Sequence, residues 1–138
     1  MSSKDVFHTV VKNALQKNNW HITHDPLFIR SGKVEFYIDL GAERVIAADK
    51  DGQKIAVEVK SFIGQSAISE FHTALGQFLN YRLALEAQEA DRALYLAVPL
   101  DTYETFFTLP FTEMAIQRYQ IKLIVYSIKD EVIVKWQE

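Results

Sequence analysis

YIDLGAERVIAADKDGQKIAVEVKSF, residues 37–62, has the alternation and the turn residues of β-strands, yet it carries three charges among apolar neighbours. The three charged residues are Asp39, Glu58 and Lys60. Glu58 and Lys60 are two positions apart, so a strand places them on one face, with two valines on the other. Asp39 lies near the end of the preceding predicted strand. The three charges are therefore either a solvated pair and a turn residue, or one site at an edge of a sheet.

Short β-prone segments surround this stretch and extend to the end of the chain. Alternation and turn residues predict strands over 20–23, 27–30, 34–40, 44–48 and 54–62, and the Asp51-Gly52 step predicts a hairpin turn at 49–52. The apolar run 93–98 is typical of a central strand that is covered on both faces. A closing hairpin is predicted from 121–127 and 132–136.

Helical spacing of apolar residues predicts a first helix over 4–17 and a long helix over 66–90. Gly76 lies inside the long helix, where it costs about 1 kcal/mol relative to Ala, and this indicates close packing against the sheet. Short helical turns, broken at Pro110, are predicted within 101–120. The order of elements predicts an α/β domain in which a central mixed β-sheet is flanked by helices.

Composition places the chain among globular proteins with one domain, residues 1–138. No apolar run is long enough to cross a membrane and no signal peptide is evident, so we expect a cytoplasmic protein without membrane partners. The absence of cysteine limits any metal ion to oxygen or histidine ligands. A net charge of -3 argues against a protein that coats nucleic acid nonspecifically.

Two carboxylates and a backbone carbonyl can form half of the ligand shell of Mg²⁺ or Mn²⁺. The carboxylates of Asp39 and Glu58 and the carbonyl of Val59 are the candidate ligands. Lys60 beside the metal would orient or deprotonate an attacking water, and the metal would stabilise charge on a phosphate oxygen. This set of groups favours hydrolysis of phosphodiester bonds.

Asp39 followed by Glu58-Val59-Lys60 resembles the motif of the PD-(D/E)xK nuclease superfamily, and the resemblance covers residues 4–98. It implies a restriction-endonuclease-like fold with an αβββαβ core and a magnesium-dependent endodeoxyribonuclease that acts on DNA. Gln77 and Tyr81 match the QxxxY motif of some branches, which implies a place at the phosphate site. A solvated helix face is the alternative for these two residues. His8 stands where the first helix often carries a glutamate, so His8 is either a metal ligand or phosphate contact, or an interfacial histidine.

Longer segments, among them KDVFHTVVKNAL, IAVEVKSF and SEFHTALGQFLNYRLAL, resemble the XisH family of fdxN-element excision controlling factors of cyanobacteria. That resemblance implies control of a DNA rearrangement during heterocyst development, together with an XisI-like partner protein, while a separate recombinase exchanges the strands. Two hypotheses stay open, a metal-dependent nuclease and a regulatory protein that acts through its partner. Phe106, Phe107 and Phe111 form either a docking surface, for a partner or for the second copy in a homodimer, or part of the core.

Overall fold

The structure, a computed structural model, describes residues 3–46 and 49–138 of the chain. The helices are α1 (Ser3–Lys17), α2 (Ala67–Gln88), α3 (Leu100–Thr102), a π-helical turn (Tyr103–Phe107) and α4 (Pro110–Arg118). The strands are β1 (His21–His24), β2 (Leu27–Ser31), β3 (Val34–Ile38), β4 (Leu40–Ile46), β5 (Asp49–Val59), β6 (Arg92–Pro99), β7 (Leu123–Ser127) and β8 (Val132–Gln137). None of the helices in the described ranges has the length and apolar character needed to cross a membrane.

A six-stranded mixed sheet with the order β1-β4-β5-β6-β7-β8 organises the fold. The pairs β5–β6 and β6–β7 are parallel, and the remaining neighbours are antiparallel. This confirms the predicted mixed sheet, its covered central strand and its closing hairpin.

Two hydrophobic cores cover the two faces of this sheet. On one face Val11 and Leu15 of α1 pack against the odd-numbered residues Val57 and Val59 of β5. On the other face the core of α2 includes Ala56 of β5. Successive residues of a strand point to opposite faces, so Glu58 shares the face of Ala56, the side that α2 covers.

Strands β2 and β3 form a separate two-stranded sheet that packs on α2, with Leu27 and Ile29 buried beneath it. The prediction of one continuous strand over 34–40 is therefore wrong, because β3 ends at Ile38 and β4 begins at Leu40 in the other sheet. Asp39 alone lies between β3 and β4, while residues 25 and 26 form the other connection between the two sheets. The backbone N–H of Asp39 is bonded to the Glu58 carboxylate instead of continuing the β3 ladder.

The turn between β4 and β5 is also displaced from its predicted position. Ile46 pairs with Asp49, and residues 47 and 48, the last two of the strand predicted over 44–48, lie outside the described residues. The predicted turn residues 49–52 instead belong to β5, where the register shifts between Arg44 and Ile46. Gly52 has a φ of +71° at this irregularity, a conformation that favours glycine. The Asp-Gly signal thus marks a bulge rather than the end of the hairpin.

Helix α2 begins where the sequence predicted, because the Ser66 hydroxyl accepts a hydrogen bond from the Ser69 N–H at 3.3 Å. The predicted close packing at Gly76 is wrong. Gly76 is exposed, and a Cβ atom built on it meets no other atom within 4 Å.

Gly76→Ala is therefore expected to stabilise the protein by about 0.5–1 kcal/mol, because alanine lowers the entropy of the unfolded chain and fits the helix without a clash. Denaturant unfolding measures the change. Gly32→Ala is a matched control with equally open space, but Gly32 has a φ of +60° and should lose about 1 kcal/mol. Shifts of the same sign in both variants would contradict this account.

Candidate functional site

Asp39 and Glu58 lie side by side where β4 begins and β5 ends. Leu40 pairs with Val57 in the antiparallel ladder, which places Asp39 opposite Glu58. The Asp39 N–H donates to Glu58 Oε1 at 3.2 Å, and the Val59 N–H donates to Asp39 Oδ2 at 2.8 Å. Each carboxylate is thus held by the backbone of the opposite strand, and both are presented at one point.

Lys60 completes the group, with its Nζ 3.5 Å from Glu58 Oε2. Its backbone is fixed on both sides, because its N–H donates to the Ala97 carbonyl at 3.0 Å and its carbonyl accepts from the Tyr126 hydroxyl at 3.0 Å. The side chain keeps 26% exposure. The structure therefore anchors the main chain of Lys60 and leaves its ammonium group open to solvent.

Glu58 is not the solvent-facing residue that the solvated-pair alternative required, since the residue is only 6% exposed. Burial, and after it the adjacent Asp39 carboxylate, together raise the pKa of Glu58 from 4.5 to about 7 against the opposing effect of Lys60. The single ammonium of Lys60 does not balance the charges of the buried Glu58 and the half-buried Asp39. The pair therefore attracts a cation.

Gln77 and Tyr81 lie on the side of α2 that faces the two-stranded sheet. Tyr81 packs edge-on against Phe36 of β3 with ring centroids 5.9 Å apart. Burial raises the pKa of Tyr81 to about 12, with smaller contributions from the charges of Glu58 and Asp39. Gln77 has a buried Oε1 for which the described part of the chain offers no donor. Gln77 and Tyr81 therefore do not form a fully solvated helix face. Tyr81 lies close enough to Glu58 and Asp39 for their charges to contribute to its raised pKa.

A cavity of about 240 Å³ opens beside the Asp39 carboxylate, and Glu58 is not among its lining residues. It is lined by residues of α1, of the sheet and of α2, namely Phe7, His8, Asp39, Val59, Lys60, Ser61 and Glu70. Glu70 also holds the segment after β5, because its Oε2 accepts from the Gly64 N–H at 3.0 Å. Gln77 and Tyr81 do not line this cavity.

His8 borders the cavity but is bonded to a different partner from the one that the resemblance implied. Its Nε2 lies 2.7 Å from Asp25 Oδ1, and Lys12 Nζ lies 2.8 Å from Asp25 Oδ2. Partial burial acts to raise the pKa of Asp25, but the hydrogen bonds from Lys12 and His8 outweigh this effect and lower it. His8 is therefore held in a cluster with Asp25 and Lys12 at the rim of the cavity.

Asp25 and Tyr126 are structural partners of the site that sequence reasoning did not find. His8 and Lys12 are four residues apart in α1, which places them on one helix face and was a usable signal for a shared acidic partner. No pattern in the sequence indicated that Tyr126 would reach the Lys60 carbonyl, because that contact joins residues 66 positions apart.

The residues fit a divalent metal through Asp39 and Glu58. Within residues 3–46 and 49–138 no three His, Asp or Glu side chains are grouped to hold a metal ion. Mg²⁺ needs only one or two carboxylates and takes its other ligands from carbonyls, substrate and water. Two carboxylates held side by side by backbone hydrogen bonds, one with a raised pKa, have the donor chemistry for such a site, whereas the Nε2 of His8 is bonded to Asp25.

The fold and site define an α/β protein that presents two carboxylates and a lysine at the carboxyl end of a central strand. The chain belongs to the XisH family, because the family model for the XisH protein matches residues 1–134. Two solved structures are similar over nearly the whole chain. An XisH family protein from Nostoc punctiforme is 54% identical, with a TM-score of 0.90 over 97% of this chain and 100% of that one. An fdxN element excision controlling factor from Anabaena variabilis is 58% identical, with a TM-score of 0.89 over 97% of this chain and 99% of that one. No match is found among curated proteins.

Proposed function

We propose that this XisH-family protein is an fdxN-type element excision controlling factor that acts on DNA as a metal-dependent nuclease of the PD-(D/E)xK type. The observation that carries the proposal is the contact between Asp39 and Glu58, with Lys60 3.5 Å from the glutamate. The excision role is taken from the Anabaena variabilis relative, which is 58% identical. The sequence order of α1, the strands of 34–59, α2 and β6 supports a restriction-endonuclease-like core.

Each residue of the site has a separate role in this proposal. Asp39, Glu58 and the Val59 carbonyl would hold Mg²⁺ or Mn²⁺, which when bound polarises a phosphate oxygen and acidifies water. Lys60 orients the attacking water and offsets negative charge on the phosphate. Tyr81 keeps its hydroxyl proton at neutral pH, because its pKa is about 12, and so can donate a hydrogen bond near the phosphate.

Gln77 supports the same proposal from a different observation. Its buried Oε1 has no donor among the described residues. A buried acceptor without a donor costs about 1–3 kcal/mol, so such atoms are often part of binding sites. Gln77 would therefore accept a hydrogen bond from a water of the metal or substrate shell.

The proposal predicts that Lys60→Ala lowers DNA hydrolysis by about 100-fold or more, because the water is no longer positioned. Cleavage of branched, nicked and supercoiled DNA with Mg²⁺ or Mn²⁺ is the assay. Lys54→Ala is the matched control, since Lys54 is in the same strand but pairs with Asp91 at 3.4 Å, away from the site. Cleavage that survives in Lys60→Ala would exclude the nuclease mechanism.

A second candidate is a regulatory protein that retains the fold and acts through an XisI-like partner or as a homodimer. The contact of His8 with Asp25, which leaves the metal with two side-chain ligands, favours it. Phe106 and Phe107 are buried in the core, so they do not provide the docking surface. Phe111 is 59% exposed and remains available for contact.

Affinity capture with the XisI-like partner separates the two candidates. The regulatory candidate predicts that Glu58→Ala binds the partner as the unaltered protein does and that neither protein hydrolyses DNA. Size-exclusion chromatography of the chain alone measures whether it dimerises, and Phe111→Ser tests the exposed aromatic in both assays.

A further inference from the structure

A second cavity, of about 570 Å³, lies at the end of the main sheet opposite the candidate site. It opens where β5, β6 and β7 begin, whereas Glu58 and Lys60 lie where β5 ends. Its volume is within the range of about 300–1,000 Å³ typical of small-molecule sites. Six of its lining residues are aromatic or cationic, namely Trp20, Arg44, Lys54, Tyr95, Lys122 and Trp136.

Three aromatic rings form one wall of this cavity. Trp136 lies 5.7 Å from Trp20 and 5.1 Å from Tyr95, measured between ring centroids. Trp20 is 5% exposed and Tyr95 4%, so both rings are held in place by the core. A rigid aromatic wall is a surface on which a planar ring stacks at low entropic cost.

Two cations lie over the aromatic rings. The Arg44 guanidinium carbon is 4.7 Å from the Trp20 ring centroid, and Lys122 Nζ is 5.8 Å from that of Tyr95. Among the residues whose side chains the structure describes, which excludes those of 1–5 and 45–51, neither cation pairs with a carboxylate. Both remain able to neutralise a ligand's negative charge.

Two carboxylates also line the cavity, but each already has a partner. Asp91 is 3.4 Å from Lys54 Nζ, and the Glu138 carboxylate accepts a hydrogen bond from the Tyr95 hydroxyl. The hydrogen bond leaves the charge of Glu138 in place, so the lining carries three cations, Arg44, Lys54 and Lys122, against two carboxylates. The cavity keeps a local positive character in a chain whose net charge is -3.

The polar atoms left without partners in this wall are all donors. Trp20 Nε1 and Arg44 Nε are buried, and the described chain supplies no acceptor for either. A ligand that suits these side chains carries acceptor atoms rather than donors. A ligand that fits this cavity therefore has a planar ring, a negative charge and more hydrogen-bond acceptors than donors.

We infer that this cavity binds a nucleotide, with its base against Trp136, the least buried ring of the wall, and its phosphate near Arg44 and Lys122. A nucleobase provides the planar ring, and the phosphate provides charge and acceptor oxygens. The same chemistry is available from a free mononucleotide and from a phosphorylated end of a nucleic-acid strand. This inference does not depend on hydrolysis at Asp39 and Glu58.

Tryptophan fluorescence provides a direct test, because the chain has two tryptophans and both line the cavity. Titration of the full chain with deoxyadenosine monophosphate is expected to quench the emission in a saturable way. Deoxyadenosine should bind at least about tenfold more weakly, because it lacks the phosphate. A short 5′-phosphorylated oligonucleotide, titrated in parallel, distinguishes the end of a strand from a free nucleotide as the source.

Arg44→Gln and Lys122→Gln should each weaken this binding by about tenfold. Arg118→Gln, which removes an exposed cation of α4 far from the cavity, should bind as the unaltered chain does. Circular dichroism verifies that each variant is folded, and the Lys122 substitution remains informative if Arg44→Gln does not fold. Absence of saturable quenching by either nucleotide probe up to about 5 mM would overturn the inference. Equal weakening in Arg118→Gln, or quenching by an acidic peptide alone, would also overturn it.

Discussion

Glu58→Gln is expected to make the metal-free protein more stable than the unaltered chain above pH 7, by about 1–3 kcal/mol, while it lowers DNA hydrolysis by about 100-fold or more. The substitution keeps the shape of the side chain and an oxygen for the Asp39 N–H, which donates at 3.2 Å. It removes the charge that burial disfavours. The same change therefore removes a proposed metal ligand and the free-energy cost of burying its charge.

The direction of the pH dependence follows from the raised pKa of Glu58. Its folded-state pKa is about 7 and its ordinary value is 4.5, so the folded chain holds the proton more tightly than the unfolded chain. Stability is complete below about pH 4.5 and falls as the pH rises to about 7. The total loss is about 3 kcal/mol, since each unit of pKa corresponds to about 1.4 kcal/mol.

Denaturant unfolding in chelator at several values between pH 4 and pH 9 measures this effect. The pH dependence of the free energy of unfolding should be the same for the two proteins below pH 4.5 and should differ between pH 4.5 and 7. Glu86→Gln, a change of the same type at an exposed position of α2, should follow the unaltered chain throughout. Parallel curves for Glu58→Gln and the unaltered chain would refute the claim that Glu58 is strained by burial. Added Mn²⁺ should raise the stability of the unaltered chain at pH 8 and leave Glu58→Gln unchanged.

Phe71→Ala is expected to destabilise the protein by about 3–5 kcal/mol, the usual cost of removing a large buried aromatic ring. Phe71 is 2% exposed, and its ring centroid lies 5.6 Å from that of Phe106 and 5.9 Å from that of Phe107. Phe62, two residues after Lys60, packs on Phe107 at 5.5 Å. The loss therefore also loosens the segment that follows the site.

Denaturant unfolding at 25 °C measures this loss. Phe111→Ala is the matched control, because Phe111 is 59% exposed and its removal should change stability by less than about 0.5 kcal/mol. Similar losses for the two phenylalanines would show that the aromatic cluster is not a main support of the fold.

Local patterns in the sequence predicted most of the secondary structure, because alternation, helical spacing and caps act over a few residues. The strand 93–98 and the cap at Ser66 are examples. These patterns gave wrong predictions where contacts between residues distant in sequence decided the structure. A continuous alternation through residues 34–40 contains no mark of the transfer from one sheet to another, and that transfer occurs at Asp39.

The site could be predicted in part for the same reason. Glu58 and Lys60 are two apart in one strand, and the turn-connected strands bring Asp39 to them. The partner of His8 could not be predicted, because Asp25 reaches it across 17 residues through the packing of β1 on α1. The burial of Glu58 beneath α2 likewise depends on contacts distant in sequence.

The junction at Asp39 has a mechanical consequence. The small hairpin is linked to the main sheet at two points, through residues 25 and 26 between β1 and β2 and through Asp39 between β3 and β4. Because Asp39 is the whole of the second link, the position of the first acid of the site depends on how the small hairpin packs against α2.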